Sequence, residues 1–378
     1  MKATYLDYAA TAPMRPEIRQ QLCRLLELPL GNASSLHRHG RQARMLLEQA
    51  REDVARVLGL KVEEVIFTAG ATEANNLALM GWMRLQPPGS HLILSAIEHP
   101  SVWECAEQLA GEGYDVSQVS VDDQGRVDLE QLVAQLQPHT RLVSMMAVNN
   151  EVGVILPWAE LAAQFPVGSR PWLLHVDAVQ GAWVGWPSLQ SVDLVTLSAH
   201  KLGGPIGSGC LLVRQGLRLA PQQLGGSQED HRRAGTSNPL AAVGLASALQ
   251  LVNPQEAERL KGLQHSLESQ LKQLPGAHLL GARANRSPHI SAWTFEGVDA
   301  EPLLVLLDLA GISASSGSAC SSHSLEPSRV VAAMGYPPEQ CRGLIRFSLG
   351  HATSEGDLHH LLERLPEMLQ QVRQRSPR

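Results

Sequence analysis

Short apolar runs, each ending in polar residues, recur through the first two thirds of the chain. Runs of about four to eight apolar residues are typical of strands buried in a parallel sheet. They alternate here with longer stretches of helical period, which is the pattern of an α/β domain. The predicted strands are residues 64–68, 91–95, 141–148, 172–176, 192–197 and 210–213.

The pattern changes near residue 252, where the chain becomes more charged and the regular alternation of strands and helices ends. A chain of 378 residues is long enough for two domains. We therefore expect a large α/β domain followed by a smaller α+β domain. In the first part, helices are predicted from near residue 16 and over residues 42–58, 71–85 and 239–252. In the second part, we predict a polar helix to residue 274, strands 290–295 and 344–349, and helices 301–309, 329–334 and 357–372.

The amino-acid composition limits the kinds of binding partner that this protein is expected to have. The net charge is −6, and no segment concentrates Lys and Arg, which argues against nucleic acid or an anionic membrane surface and favours a small-molecule substrate. The first residues lack a charged leader followed by an apolar stretch, so we expect a cytoplasmic protein. The five cysteines are widely spaced without a CxxC pair, which fits neither a disulfide framework nor a zinc site.

Three ionisable residues follow predicted strands. Lys201 comes soon after strand 192–197, Asp177 directly follows strand 172–176, and His99 follows strand 91–95. The carboxyl ends of parallel strands meet at one edge of the sheet, where ligands bind in open α/β folds. A histidine in such a position is by itself more often a solvated loop residue, so His99 gains significance only from its neighbours.

Lys201 and Asp177 together indicate a pyridoxal phosphate site. A lysine at a buried strand end loses its charge through desolvation and can then form an imine. A neighbouring aspartate can keep a pyridine nitrogen protonated, and this Asp–pyridinium pair recurs in pyridoxal phosphate enzymes. We therefore predict that Lys201 binds pyridoxal 5′-phosphate as a Schiff base.

Other polar residues near these strand ends suit the rest of the cofactor. Thr72, at a predicted helix start, and Ser198 and His200 can bind a phosphate. His99 can cover the ring face and move protons, and Gln180 can reach the phenolic oxygen. Read alone, the strand-Gly-helix segment at Thr72 is a weak signal, because it matches an ordinary helix start.

Cys320 is the candidate nucleophile. It lies in a run of Gly, Ser and Ala, which predicts an exposed and mobile loop rather than a packed core position. The other cysteines lie in apolar or helical contexts and are expected to pack, namely Cys23, Cys105, Cys210 and Cys341. The loop at residues 31–37, taken alone, is an ordinary connection in which Ser35 caps the following helix.

Taken in order, the motifs resemble the cysteine desulfurases of aminotransferase class V, in the NifS/IscS-like group. The resemblance covers nearly the whole chain. The segments that carry it are residues 5–11, 32–37, 67–73, 98–100, 149–153, 175–180, 198–201, 232–236, 315–322 and 345–350. It implies the fold-type I architecture of pyridoxal phosphate enzymes, with a large, mainly parallel seven-stranded α/β domain at 16–252. A small α+β domain from both chain ends, 1–15 and 253–378, would carry the catalytic cysteine, and the protein would be a homodimer.

The resemblance also implies a role for each site residue. Lys201 would be the Schiff-base lysine, Asp177 the pyridinium partner and His99 the stacking acid/base. Asn150 and Gln180 would contact the cofactor ring, and Arg346 and Asn32 would bind the substrate carboxylate. The phosphate would be bound by Ala71, Thr72, Ser198, His200 and, from the other subunit, Thr236. The Cys320 thiolate would attack the sulfur of bound L-cysteine, leaving a persulfide on Cys320 and releasing L-alanine.

Several readings stay open from the sequence. A selenocysteine lyase or another class V aminotransferase would use the same cofactor, although an aminotransferase needs no Cys320. A non-catalytic sulfur-transfer scaffold is a third alternative, against which the intact site residues argue. The sulfur acceptor protein could serve iron–sulfur cluster assembly, thiolation of tRNA or a cofactor, or DNA phosphorothioation. No stable metal site is expected, although a Cys320 persulfide could ligate a cluster transiently.

Overall fold

The computed structural model of the chain describes residues 3–317 and 327–375. Its strands combine short edge elements with fully buried central ones. In chain order they are β1 (Thr4–Tyr5), β2 (Val65–Thr68), β3 (His91–Ser95), β4 (Asp115–Val119), β5 (Thr140–Met146), β6 (Leu173–Asp177), β7 (Leu194–Ser198), β8 (Gly209–Val213), β9 (Ala277–Leu279), β10 (Ile290–Phe295), β11 (Ile312–Ser313) and β12 (Ile345–Ser348).

Several helices begin with proline, whose fixed φ and missing N–H suit the first helical position. The helices are α1 (Pro16–Leu26), α2 (Arg38–Leu58), α3 (Ala71–Met83), α4 (Pro100–Gly111), α5 (Leu129–Gln135), α6 (Trp158–Gln164), α7 (Pro239–Gln250), α8 (Pro254–Leu271), α9 (Ala300–Leu309), α10 (Arg329–Ala333), α11 (Pro338–Arg342) and α12 (Glu355–Arg375). None of the helices in the described ranges is both long and apolar enough to cross a membrane.

The large sheet has the order β2-β8-β7-β6-β5-β3-β4 among the described residues. Strands β4, β3, β5, β6 and β7 pair in parallel, and β8 runs antiparallel between β7 and β2. The predicted mainly parallel, seven-stranded sheet is therefore confirmed. Its parallel strands all end at the same edge, which places the residues after β3, β5, β6 and β7 together.

Apolar side chains cover both faces of this sheet. Along β3, Ile93 packs into one hydrophobic cluster, whereas Leu92 and Leu94 pack into a second one on the other face. All three are fully buried. This alternation explains why the strand appears in the sequence as a continuous apolar run, since a parallel strand has no solvent-exposed face.

The C-terminal part builds a separate antiparallel sheet, ordered β12-β10-β9. Its hydrophobic cluster includes Trp293 and Phe347, together with Leu6 from the N-terminal arm, which is residues 3–15. The arm also pairs in parallel with this part, β1 with β11. These contacts support our proposal that residues 1–15 and 253–378 form one domain and residues 16–252 the other.

Some local expectations were wrong. Helix α2 begins at Arg38, and its cap is the His37 side chain, which accepts a hydrogen bond from the Gly40 amide, rather than Ser35. Cys23 is exposed on α1 instead of packed, whereas the other three cysteines of the described ranges are buried as expected. Cys23 lies next to buried Leu22, so an apolar sequence neighbour is no guide to which face of a helix a residue occupies.

Replacing Gly350 by Ala should destabilise the protein. A Cβ at this position would overlap the Tyr8 ring, although the backbone of Gly350 is not left-handed. Because Tyr8 is buried, we expect the free energy of unfolding to fall by about 1–3 kcal/mol. Gly262→Ala is the matched control, since among the described residues nothing outside its own helical turn and chain neighbours lies within 4 Å of its Cβ position in α8. This control should be neutral or slightly stabilising. Equal urea midpoints for the two variants would contradict the prediction.

Stability should also fall between pH 6.5 and 4, in part because of His175. This β6 residue is fully buried between Ser144 Oγ and Thr196 Oγ1, at 2.8 and 3.1 Å from its two ring nitrogens. Burial lowers the pKa of His175 to about 4. The unfolded chain therefore binds a proton that the folded chain excludes, and folding loses up to about 3 kcal/mol as the pH drops through this window.

Urea unfolding at pH 7.5 and 4.5, for wild type and His175→Gln, measures this contribution. The variant should show a smaller loss of stability on acidification, because its side chain does not titrate. Identical pH dependence in the two proteins would show that His175 does not contribute.

Candidate active site

A cavity of about 850 Å³ lies at the carboxyl edge of the large sheet. Its wall combines the ends of β3, β5, β6 and β7 with the start of α3 and with the N-terminal arm. Most of the predicted site residues line it, namely Ala71, Thr72, His99, Asn150, Asp177, Gln180, Ser198, His200, Lys201 and Arg346. The parallel topology therefore brings together residues that are far apart in sequence.

Lys201 lies in a single helical turn, Ala199–Lys201, that follows β7. Its Nζ donates hydrogen bonds to the backbone carbonyls of Ala9 and Ala10, each at 2.7 Å. Two carbonyl acceptors stabilise an ammonium group at this half-buried position. The N-terminal arm thus fixes the position of the lysine side chain.

Asp177 is the last residue of β6, the strand adjacent to β7, and its side chain is buried. Its Oδ1 accepts from the Val179 amide at 3.0 Å, and its Oδ2 accepts from Asn75 Nδ2 at 2.8 Å. These bonds aim the carboxylate at the cavity, where it can pair with a ligand cation.

His99 caps α4, and its Nδ1 accepts a hydrogen bond from the Ser101 amide at 3.1 Å. Burial is the main cause that lowers the pKa of His99, and nearby Lys201 lowers it further, while Asp177 acts in the opposite direction. A neutral imidazole therefore lines the cavity at neutral pH.

Gln180 is held on both sides of its amide. Its Nε2 donates to the Ala9 carbonyl at 2.9 Å, and its Oε1 lies 3.0 Å from His289 Nε2. Burial lowers the pKa of His289 to about 3, so this histidine is neutral and can donate to the Gln180 oxygen. His289 is a residue that sequence reasoning missed, because it lies far along the chain and no local pattern marks it.

A further group of residues at the cavity suits an anion. Helix α3 begins at Ala71 after Gly70, and its first amides have no acceptor within the helix. The Ser198 hydroxyl is buried without a hydrogen-bond partner among the described residues. His200 Nδ1 lies 3.1 Å from Thr11 Oγ1, and burial lowers the pKa of His200 to about 4.

The Arg346 guanidinium is buried at the cavity wall. It donates from Nη1 to the Asn150 carbonyl at 2.8 Å and from Nη2 to Asp7 Oδ1 at 2.9 Å. Its Nε has no partner in the part of the chain that the structure describes. The Asp7 carboxylate fixes the orientation of the guanidinium, and donors remain for a further anionic group.

Two predicted residues are not brought to this cavity by their own chain. Asn32 is exposed, and its Oδ1 accepts from the Ser34 amide at 2.9 Å in a local turn. Thr236 is also exposed and does not line the cavity. Their predicted roles at the substrate and at the other subunit's phosphate stay predictions.

Cys320 lies outside the described residues. The described residues on both sides of its segment form hydrogen bonds at or next to the site. Ser315 pairs with the backbone of Arg346 through hydrogen bonds of 3.2 and 2.6 Å. On the other flank, Ser328 Oγ donates to Glu151 Oε2 at 2.5 Å. A Cβ at Gly317 would lie 2.8 Å from the same Glu151 oxygen. Glu151, whose side chain is buried, therefore lies between the two flanks.

Comparisons with known proteins agree with this geometry. The Aminotransferase class-V family profile matches residues 4–361. The cysteine desulfurase IscS of Dictyoglomus turgidum is 39% identical over an alignment of 388 positions, which covers 100% of this chain and 97% of that relative. A solved NifS-like protein has a TM-score of 0.90 at 32% identity and covers 98% of this chain and 100% of its own.

A further solved structure is SspA in complex with cysteine, with a TM-score of 0.80 at 30% identity. It covers 92% of this chain and 98% of its own. These matches confirm the fold class that the sequence predicted, a large, mainly parallel α/β domain of the NifS-like enzymes. The family match spans most of the chain, and the chain belongs to the class V aminotransferase family, among its NifS/IscS-like cysteine desulfurases.

Proposed function

We propose that this protein is a cysteine desulfurase that converts L-cysteine to L-alanine and carries the released sulfur as a persulfide on Cys320. The observation that carries the proposal is the placement of Lys201 and Asp177. They follow or end two adjacent parallel strands, and both line one cavity. Full-length similarity to IscS of Dictyoglomus turgidum supports the same activity.

The donor set of the cavity fits pyridoxal 5′-phosphate. The Ser198 hydroxyl is buried and has no hydrogen-bond partner among the described residues, so it suits the phosphate together with the first amides of α3. The Asp177 carboxylate suits a protonated pyridine nitrogen. Bound there, this cofactor supplies an electron sink for carbanion chemistry. The residues that would hold it are Ala71, Thr72, His99, Asn150, Asp177, Gln180, Ser198, His200, Lys201 and, from a second subunit, Thr236.

The chain's own residues then divide the work. Lys201 supplies the amine, and the carbonyls of Ala9 and Ala10 receive its ammonium form whenever the amine is released. His99, neutral and beside the cavity, moves a proton. Arg346 binds the carboxylate of L-cysteine through donors that Asp7 and Asn150 leave available, with Asn32 as a second contact.

The sulfur-transfer step belongs to Cys320. Its thiolate attacks the substrate sulfur, so that a new S–S bond forms while the substrate C–S bond breaks. The electron pair of the broken bond stays with the carbon, which takes up a proton and leaves as alanine. The persulfide then passes its outer sulfur to an acceptor protein. The acceptor's pathway is one of iron–sulfur cluster assembly, thiolation of tRNA or a cofactor, or DNA phosphorothioation, and the enzyme acts as a cytoplasmic homodimer.

Cys320→Ala should remove sulfur transfer and keep the cofactor. We expect the purified variant to keep the yellow absorption of the wild type, while alanine and sulfide release fall by about a thousandfold or more, because the nucleophile is absent. Cys23→Ala is the matched control, since Cys23 is an exposed thiol on α1. A Cys320→Ala variant with wild-type rates would show that sulfur does not pass through this thiol, which is the result expected of a selenocysteine lyase. A colourless wild type would contradict the cofactor assignment.

Arg346→Lys should weaken cysteine binding more than turnover. Lysine keeps the charge but not the planar pair of donors, so we expect KM for L-cysteine to rise about tenfold to a hundredfold, the equivalent of one charge-assisted hydrogen bond. Steady-state kinetics at several cysteine concentrations give the KM, and the visible spectrum should not change. Arg283→Lys, which alters an exposed ion pair with Asp123, is the control. An unchanged KM in Arg346→Lys would remove Arg346 from the substrate site.

A further inference from the structure

A continuous series of hydrogen bonds joins the Asp177 carboxylate to the His99 ring. Asn75 Nδ2, on α3, donates to Asp177 Oδ2 and to Ser101 Oγ, each at 2.8 Å. Ser101 Oγ, on α4, lies 2.8 Å from His99 Nδ1. Asn75 and Ser101 are both buried. We call these four side chains the His99 relay.

The Asp177 carboxylate and the Ser101 amide together fix the direction of every bond in the His99 relay. An ionised carboxylate can only accept, so the NH₂ group of Asn75 must face Asp177. Both N–H bonds of that group are then used, one for Asp177 and one for Ser101 Oγ. A backbone N–H can only donate, and the Ser101 amide donates to His99 Nδ1 at 3.1 Å, so this nitrogen is an acceptor and carries no proton. The Ser101 hydroxyl, which accepts from Asn75, therefore donates its own hydrogen to the same nitrogen.

We propose that Asn75 and Ser101 are positioning residues that hold His99 as the neutral tautomer with its hydrogen on Nε2. The inference rests on the proposed function, in which His99 is the acid/base group beside the cofactor. In this tautomer His99 offers the cavity a hydrogen-bond donor, so it acts there as the acid and can accept a proton at Nε2 only after giving one up. A second proton could bind only at Nδ1, and it would leave the Ser101 hydroxyl and amide without their acceptor.

The charged groups around His99 act in both directions. Burial disfavours an imidazolium most and Lys201, after β7, also disfavours one, whereas Asp177, at the end of β6, and Glu104, on α4, favour one. Asp177, however, already accepts from Val179 and Asn75. The relay therefore adds a preference for one tautomer to the Coulombic influence of Asp177 on His99.

Neither positioning residue is needed to build its helix. The N-cap of α4 is His99 itself, so the Ser101 hydroxyl is not required to begin that helix. Asn75 lies between buried apolar residues of α3, Ala74 and Ala78, and its Oδ1 has no partner among the described residues. A buried amide with an unsatisfied oxygen costs stability. The two hydrogen bonds that its nitrogen donates within the site explain why an amide occupies this buried position.

The test is solid-state ¹⁵N NMR of the full-length protein as purified, labelled only at histidine, with the His99 signals assigned by their absence in His99→Gln. In the wild type at pH 7, we expect a protonated Nε2 and an unprotonated Nδ1. Ser101→Ala should give a mixture of tautomers and raise the proton-binding constant of His99 about tenfold, because one hydrogen bond to Nδ1 is lost. Ser101→Thr keeps the hydroxyl and should restore the wild-type spectrum.

Ser269→Ala, at an exposed serine of α8, is the matched control and should leave the His99 signals unchanged. Asn75→Ala interrupts the His99 relay one step earlier and reports on it if Ser101→Ala does not fold. A wild-type His99 with its hydrogen on Nδ1, or variants with an unchanged tautomer and titration, would overturn the proposal. Because these signals need no turnover, an inactive protein with the expected tautomer would count against the proposed function alone.

Discussion

Two backbone carbonyls, those of Ala9 and Ala10, hold the Lys201 ammonium group, and much of the site depends on the arm that carries them. The Ala9 oxygen also accepts from Gln180, and Asp7 of the same arm fixes the Arg346 guanidinium. Carbonyls cannot change their position without moving the backbone. The arm packs between the large sheet and the C-terminal sheet, and this packing therefore aligns the groups that we propose bind cofactor and substrate.

Several buried histidines in or near the site are neutral. Burial lowers the pKa of His99, His175, His200 and His289, so each serves as a hydrogen-bonding group at neutral pH. The cavity wall also carries charged groups, namely Lys201, Asp177 and Arg346 with Glu73, Arg232 and Arg233. Neutral neighbours do not screen these charges as water would, so each interacts strongly with a ligand of opposite sign. Tautomer, rather than charge, then becomes the property that neighbouring residues must set.

Predictions made from the sequence agree best with the structure for the most buried elements. Strand β3 was predicted with its observed bounds because both of its faces are apolar. Strand β4 was missed, since it lies at the edge of the sheet and is half polar, Asp-Val-Ser-Gln-Val. Ser35 was assigned as a cap because serine is common there, whereas His37 has the observed geometry. Asn75, a buried amide in an apolar helix, carried a signal that could have been used.

The sequence by itself determined which chemical groups this protein has and at which strand ends they stand, because apolar runs and the residues after them are local properties. It therefore predicted Lys201, Asp177 and His99 as one site. Only the tertiary structure decided what orients them. The carbonyls of Ala9 and Ala10, the His289 ring and the Asn75–Ser101 link reach the site from distant segments or through side-chain rotamers. No local pattern encodes such contacts, since they arise when separate elements pack together.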